Sequence, residues 1–586
     1  LSDALSLRAD VHTSDHSDRL VVVPVEPSQR YAIAGALRPS IDSLSLGADG
    51  IMIPSQHAHR LLDVTTIELK WTEPARRFAE NRARARQHHA RVKETVEYIK
   101  RSGAEEARRL IADLDDLKRL DGHQVVNVAA MTIADSPGLC VFDEQGAGKT
   151  VTLIFAFDLL VKRNEADLLL VLAPKSMVPE WPRDIVRFKG DLYRVAVVSG
   201  SRRGKATTLR NGSDVYVTNF ETAVSMEQEL TGLLRARSGR AVLAIDESFF
   251  VKNLNAKRTQ VVRRLREWCN RAYVLCGTPA PNRPDDLIQQ FNIADFGLTF
   301  DAIRVSEDTS DALRAIRAAV EDRGLSVRHL KRDVLPGLPD KSFERVVVPL
   351  QPQQRQLYEG ALRNLIIDLR NTDDATFQRE LASFLARRMA LLQICSNPGM
   401  IVSGYEEDPA KLLALDLIVD DLVGQNEKLI IWSFFRHSIN VMSARYARYG
   451  AVRYDGSVES IEERRDAVAR FQEDDVTRVF IANPAAAGAG LTLHRARYAV
   501  YESMSNQAAH YLQSLDRIHR RGQQRAVEYL ILLADGTIEL DEYQKLLEKE
   551  ERAQQLLGDI VEPPATRERL LGDLTASAER LGVGVQ

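Results

Sequence analysis

The chain has 586 residues, too many for one hydrophobic core, so about three to four domains of ~150 residues are expected. Its 44% hydrophobic and 27% charged content is that of an ordinary globular protein, and no apolar run reaches the ~18 residues that span a bilayer, so no membrane partner is expected. A formal net charge of −3 excludes a globally basic nucleic-acid coat but not a local basic groove.

The opening thirty residues are studded with Asp, His and Arg and lack a signal-peptide pattern. The cysteines Cys140, Cys269, Cys276 and Cys395 are scattered, with no C-x-x-C pair, which fits a reducing cytoplasm and argues against zinc. Residues 1–70 carry short strand-like runs (20–25, 51–53, 67–71) separated by Ser, Asp and Gly. Residues 75–119 read as a long helix whose first half is basic: Arg76, Arg77, Arg82, Arg84, Arg86, Arg91, Lys93, Lys100 and Arg101. It is either a solvated face with Glu80, Glu94 and Glu97 as partners, or a phosphate-contacting helix.

From about 120 to 296, short apolar strands (168–172, 214–217, 241–245, 272–275) alternate with helices, the pattern of a parallel sheet covered on both faces. Residues 303–400 read as mostly helical, after which the strand–helix rhythm returns at 428–433, 479–482, 498–502 and 528–533. The expected division is an α+β accessory region with the basic helix (1–112), a first α/β lobe (113–300), a helical insertion (301–400), a second α/β lobe (401–545) and a helical tail (546–586).

Residues 143–150 read Asp-Glu-Gln-Gly-Ala-Gly-Lys-Thr between a buried strand and an apolar helix, the context of a phosphate-binding loop. Backbone N–H groups around Gly146 and Gly148 would cradle phosphates, Lys149 would reach the β- and γ-phosphates, and Thr150 would ligate Mg²⁺. Asp143 stands where the general pattern has Gly. Strand 241–245 ends in Asp246-Glu247, placed to hold Mg²⁺ and to activate water respectively. Gly277-Thr278-Pro279 follows another strand and suits a γ-phosphate relay. In the second lobe, residues 488–493 supply a backbone turn containing Gly490 and Thr492, and residues 513–523 hold Gln513, Arg517 and Arg520, with the two arginines on one helix face. A pair of Arg aimed at phosphates from another domain is the arginine-finger arrangement.

In this order, from about residue 120 to 539, these residues resemble the Swi/Snf-type ATPases, a branch of the superfamily-two helicase-like motors. That family also carries Asp at the position of Asp143. The resemblance implies two RecA-like lobes with ATP and Mg²⁺ between them. Lobe one would supply Gln124 (adenine), Gly146, Gly148, Lys149, Thr150, Asp246 and Glu247, and lobe two Gly490, Arg517 and Arg520. It implies double-stranded DNA as partner, met by Lys175, Ser176, Thr218, Ser457 and Thr492, with Gly277, Thr278 and Gln513 coupling the sites. The activity implied is duplex translocation without obligatory strand separation, in DNA repair or phage defence, with any nuclease residing in a protein partner. Abundant Ala and Arg fit a GC-rich bacterial genome. The alternatives are an RNA-polymerase-recycling or RNA-directed motor, and an ATP- and DNA-binding switch with weak turnover. Two departures bear on coupling: Ser248-Phe249 replaces Ala-His, and Thr492 replaces Asn.

Overall fold

The computed structural model describes residues 7–14, 19–41, 44–48, 50–237, 239–277, 286–301, 309–458, 460–486, 491–504, 508–553 and 566–584. The strand-like runs of the opening region form a five-stranded sheet in the order Ser45–Gly47, Gly50–Pro54, Arg19–Pro24, Arg8–Thr13, Glu68–Trp71. All neighbours are antiparallel except the last pair. Register sets Leu20 opposite Ile53 and Val22 opposite Ile51, so these side chains share a core with Val11 and with Ile33 and Leu37 of the helix Arg30–Leu37.

The basic helix runs Glu73–Leu110, with a kink at Gly103 (φ 75°, ψ −167°). Its two halves belong to different cores. Ala75 and Ala79 pack into the N-terminal sheet, whereas Val92, Val96, Ile99 and Ala107 join the core of the first α/β lobe. The boundary expected at residue 112 lies just past this helix, whereas the change from one core to the other falls inside it, between Ala79 and Val92. Its cations are mostly spent on protein: Arg77 pairs with Glu73 at 2.9 Å, Arg76 with Glu80 at 3.1 Å, Lys93 and Lys100 with Glu97 at 2.8 Å, and Arg86 with Asp301. Lys93 also donates to the Gly324 carbonyl at 3.0 Å, and His89 lies 3.1 Å from Asp295. This is a docking face.

Lobe one is a seven-stranded sheet in the order Ser326–Val327, Gly138–Val141, Arg271–Leu275, Ala241–Asp246, Leu168–Ala173, Val215–Asn219, Val195–Val197, parallel throughout. Leu168–Ala173 and Ala241–Asp246 are buried at every residue, as a sheet sandwiched by helices requires. Lobe two is a six-stranded parallel sheet: Lys341–Val348, Val527–Ala534, Tyr498–Tyr501, Leu429–Trp432, Val479–Ala482, Val452–Tyr454.

The stretch 301–400, expected as a helical insertion, is mostly helical but also gives an edge strand to each sheet. Ser326–Val327 pairs with Gly138–Val141 in lobe one, and Lys341–Val348 pairs with Val527–Ala534 in lobe two. The chain crosses between lobes at about residues 335–340. The helix Thr309–Arg323 packs on lobe one through Ile316 and Val320, while Pro352–Arg370 and Asp374–Ser396 form a helical layer into which the tail helix Arg567–Leu581 packs through Leu570 and Leu574. The tail is thus part of the second lobe's packing: Tyr358 and Ser577 hydroxyls lie 3.2 Å apart in its buried core.

Candidate active site

Three expected elements, the phosphate loop, Asp246-Glu247 and the turn at Gly277, sit at the C-terminal ends of lobe-one strands, where loops leave a parallel sheet and backbone N–H groups are free. After Gly138–Val141 the chain turns into the helix Lys149–Lys162, capped by Gly148 at φ 91°. A Cβ at Gly148 would be strained there and would lie 2.3 Å from Gln124 Nε2. Gln124 is 2% exposed. Its amide donates to the Gly148 carbonyl at 3.3 Å, and its oxygen accepts from the Asp121 N–H at 2.9 Å. It grips the phosphate loop as well as capping its own helix.

Asp143, the off-pattern residue, is fully buried and accepts from Asn127 Nδ2 at 2.6 Å, with His329 Nδ1 at 2.9 Å. It anchors the loop's first turn. The buried ammonium of Lys149 donates to the carbonyls of Asp143 and Glu144 at 2.8 and 3.3 Å. These are neutral acceptors, and a phosphate would displace them because it meets the ammonium with a full opposite charge.

Asp246 ends its strand, and Glu247 follows at φ 50°, a left-handed conformation that costs a non-glycine residue about 1–3 kcal/mol. Trp181 Nε1 donates to Asp246 Oδ2, and the Glu247 N–H to Oδ1, both at 3.0 Å. Burial, and then the neighbouring Glu247, push the Asp246 carboxyl up to about 7. Gln145 Nε2 donates to Glu247 Oε1 at 2.6 Å, while Oε2 is buried without a partner. Gly277 makes that contact feasible: a Cβ there would stand 2.6 Å from the Gln145 side chain.

Two buried carboxyls side by side, one with an unsatisfied oxygen, make a site short of positive charge. Their hard oxygen donors fit Mg²⁺, which is usually held by one or two carboxylates plus substrate phosphates; Thr150 follows Lys149 at the start of the helix Lys149–Lys162. Among the described residues no cluster of three or more His, Cys, Asp and Glu could hold a metal by itself.

Lobe two closes over this loop. Arg520 Cβ lies 3.7 Å from the position a Cβ would take at Gly146. Arg520 and Arg517 each donate through Nη1 to the Leu491 carbonyl, at 2.9 and 3.3 Å. Arg517 is 3% exposed, and its Nε and Nη2 are buried without partners. Burial lowers the Arg517 guanidinium to about 10, the Arg520 charge adds to this, and the charges of Asp516 and Glu247 oppose it. Arg521 also forms an ion pair with Asp121 of lobe one.

Between the lobes lies a cavity of about 570 Å³, lined by Lys175, Ser176 and Arg183 on one side and Tyr454, Arg464 and Thr492 on the other. It gathers Lys175, Ser176 and Thr492 of the expected DNA contacts. Thr218 is a correction: it is fully buried, and its hydroxyl donates to the Val198 carbonyl at 2.9 Å, so it presents nothing to a ligand. Ser457 is exposed, with its hydroxyl donating to Asp455 at 2.6 Å. Gln513 is buried with an unpartnered Nε2. Thr278 and Gly490 lie outside the described residues. Sequence reasoning missed Gln145 and Trp181 as partners of the carboxylates, and the segment carrying His329 and Lys331.

The SNF2-related domain matches residues 121–400, and the helicase conserved C-terminal domain matches 410–522. The chain belongs to the SNF2-related, helicase-like ATPase family. It is 27% identical over 424 residues to a putative ATP-dependent helicase/translocase, YwqA, of Bacillus subtilis, covering 69% of this chain and 44% of that protein. It is 27% identical over 428 residues to the human SWI/SNF-related matrix-associated actin-dependent regulator of chromatin subfamily A member 1 (68% and 39% covered). It is 28% identical over 429 residues to the mouse DNA annealing helicase and endonuclease ZRANB3 (69% and 37%). The SNF2-related chain thus spans about two fifths of the length of these curated relatives. A Sulfolobus solfataricus SWI2/SNF2 ATPase core in complex with dsDNA aligns with 74% of this chain and 93% of its own at 21% identity, with a TM-score of 0.35.

Proposed function

We propose that this protein hydrolyses ATP between its two lobes and uses the cycle to move along double-stranded DNA without obligatory strand separation. The observation that carries the reading is the opposition of Arg517, with two unpartnered buried nitrogens, to Glu247, with an unpartnered buried oxygen, on either side of the phosphate loop. Buried groups of opposite sign left unsatisfied are costly unless a ligand completes them. Family membership and relatives named for ATP-dependent and DNA-annealing activities support the same reading.

In this mechanism Lys149 leaves the loop carbonyls for the β- and γ-phosphates. Asp246 and Thr150 would hold Mg²⁺, which would supply positive charge against the phosphates. Glu247, oriented by Gln145, takes the proton of the water that attacks the γ-phosphorus as the bond to ADP breaks. Arg517 and Arg520 stabilise the charge on the transferring group, an arrangement worth about 10³–10⁵ in rate. Lys175, Ser176 and Thr492 would meet the sugar-phosphate backbone, so binding carries no base preference and weakens with salt. The cellular role we infer is DNA repair or phage defence in the cytoplasm.

The test is steady-state ATP turnover with duplex DNA, single strands and RNA, followed by triplex displacement on duplex. Duplex-stimulated turnover with displacement, lost in Glu247→Gln, is the expected result. Stimulation by RNA alone, or turnover equal to buffer with saturating duplex, would replace the reading with an RNA-directed motor or a switch.

A further inference from the structure

The segment that sequence reasoning passed over lies against the phosphate loop. After Ser326–Val327 pairs with Gly138–Val141, the Glu144 N–H donates to the His329 carbonyl at 2.9 Å, and the Lys331 N–H donates to Glu144 Oε2 at 2.8 Å. The main chain thereby lays Lys331 over the loop: its Cε and Nζ are 3.2 and 3.6 Å from where a Cβ would stand at Gly146. Lys331 is 3% exposed. Its ammonium forms an ion pair with Asp516 and donates to the His519 carbonyl at 3.1 Å.

Asp516 and His519 immediately flank Arg517 and Arg520 in the chain. A lobe-one lysine thus holds the lobe-two turn that bears both arginines, at the phosphate end of the cleft. We propose that Lys331 is a positioning residue for the arginine pair: it fixes the depth and angle at which Arg517 and Arg520 enter when the lobes close. This rests on the hydrolysis reading above.

The chemistry suits the role. One ammonium with three donors can hold a carboxylate and a carbonyl together. Both acceptors belong to lobe two, so separating the lobes breaks both contacts at once, and the pair favours closure. Because Lys331 is built onto the loop backbone, it carries the position of lobe one's phosphates to lobe two without itself being one of the fingers.

The experiment compares wild type, K331R, K331M, D516N and K331M/D516N in the full chain. It uses ATP turnover, ADP affinity, and energy transfer between dyes at Val186→Cys and Val476→Cys. Both label sites are exposed, at 52% and 75%, and the native cysteines are buried, so labelling is selective. K331M and D516N should each lower kcat by about 10- to 100-fold, as a misplacement near 1 Å does. ADP affinity should stay within about threefold, the double variant should be no slower than the slower single, and K331R should keep most activity. Interlobe transfer should fall in K331M and D516N. Additive losses, or ADP affinity falling with turnover in K331M while D516N stays near wild type, would overturn the proposal and make Lys331 a direct phosphate ligand. Unchanged turnover and transfer would overturn it outright. A wild type without turnover, but with transfer lowered by K331M, would remove the hydrolysis reading and leave the contact between lobes standing.

Discussion

Arg517 and Arg520 donate to one acceptor, the Leu491 carbonyl, at 3.3 and 2.9 Å. A single carbonyl cannot satisfy two guanidinium groups, and Arg517 keeps two nitrogens unpartnered. Arg517→Ala or Arg520→Ala should therefore lower kcat by about 10³-fold or more while ADP affinity changes little, since their charge acts mainly in the transition state. Single-turnover kinetics with matched ADP titrations measure this; equal losses in affinity and rate would place the arginines in ground-state binding.

Gln145 holds one oxygen of Glu247 at 2.6 Å. Gln145→Ala frees the carboxylate to rotate. A drop in kcat of about tenfold with KM nearly constant is expected, well short of the loss in Glu247→Gln. If Gln145→Ala matched wild type in kcat, the orientation of Glu247 would have to come from elsewhere.

The raised Asp246 carboxyl sets a pH dependence. Below about 7 the group retains its proton, and a divalent cation needs it ionised. Binding of Mg²⁺–ADP should weaken by up to about tenfold per pH unit below that point and should release a proton there. Folding moves the opposite way: the folded carboxyl titrates above its ordinary value of 3.8, so acidifying from 7 toward 4 adds to folding stability through this group. Calorimetry in buffers of different ionisation enthalpy reads the proton; affinity flat from pH 5.5 to 7.5 would contradict it.

Ser248 departs from the family, and its hydroxyl donates to Gln290 in the helix Asp286–Asp295. That helix follows the strand and turn of Gly277, so the bond ties the carboxylate loop to the element expected to relay the γ-phosphate. Gln290→Leu should lower the ratio of duplex-stimulated to basal turnover by a fewfold. An unchanged ratio would show that coupling runs through another contact.

Ile99 is 2% exposed inside the lobe-one core. Ile99→Ala should cost about 2–5 kcal/mol, read as a lower midpoint in denaturant melts of the full chain. A loss under 1 kcal/mol would mean that the helix Glu73–Leu110 is only laid on the lobe.

The loop, the carboxylates and the arginines were legible because each is a local pattern, although the helix Ala508–Leu515 ends before Arg517 and sets the pair in a turn, not on one helix face. Thr218 misled because a motif gives residue order but not which strand face points inward. The basic helix was half legible: Glu80 and Glu97 pair within it as the spacing allows, whereas Asp301 and Asp295, which meet Arg86 and His89, come from lobe one and leave no mark in the local sequence. Lys331 was invisible for another reason. Its strand, Ser326–Val327, is too short to leave a periodic signal, and its partner Asp516 arrives from the far lobe.

The helix Glu73–Leu110 leaves the N-terminal core at Ala79 and enters lobe one at Val92, a rigid span of roughly 20 Å. The N-terminal sheet is therefore bolted to the same frame as the phosphate loop. In the motor proposed above, that sheet would keep a constant bearing on lobe one, and only lobe two would change its distance from it.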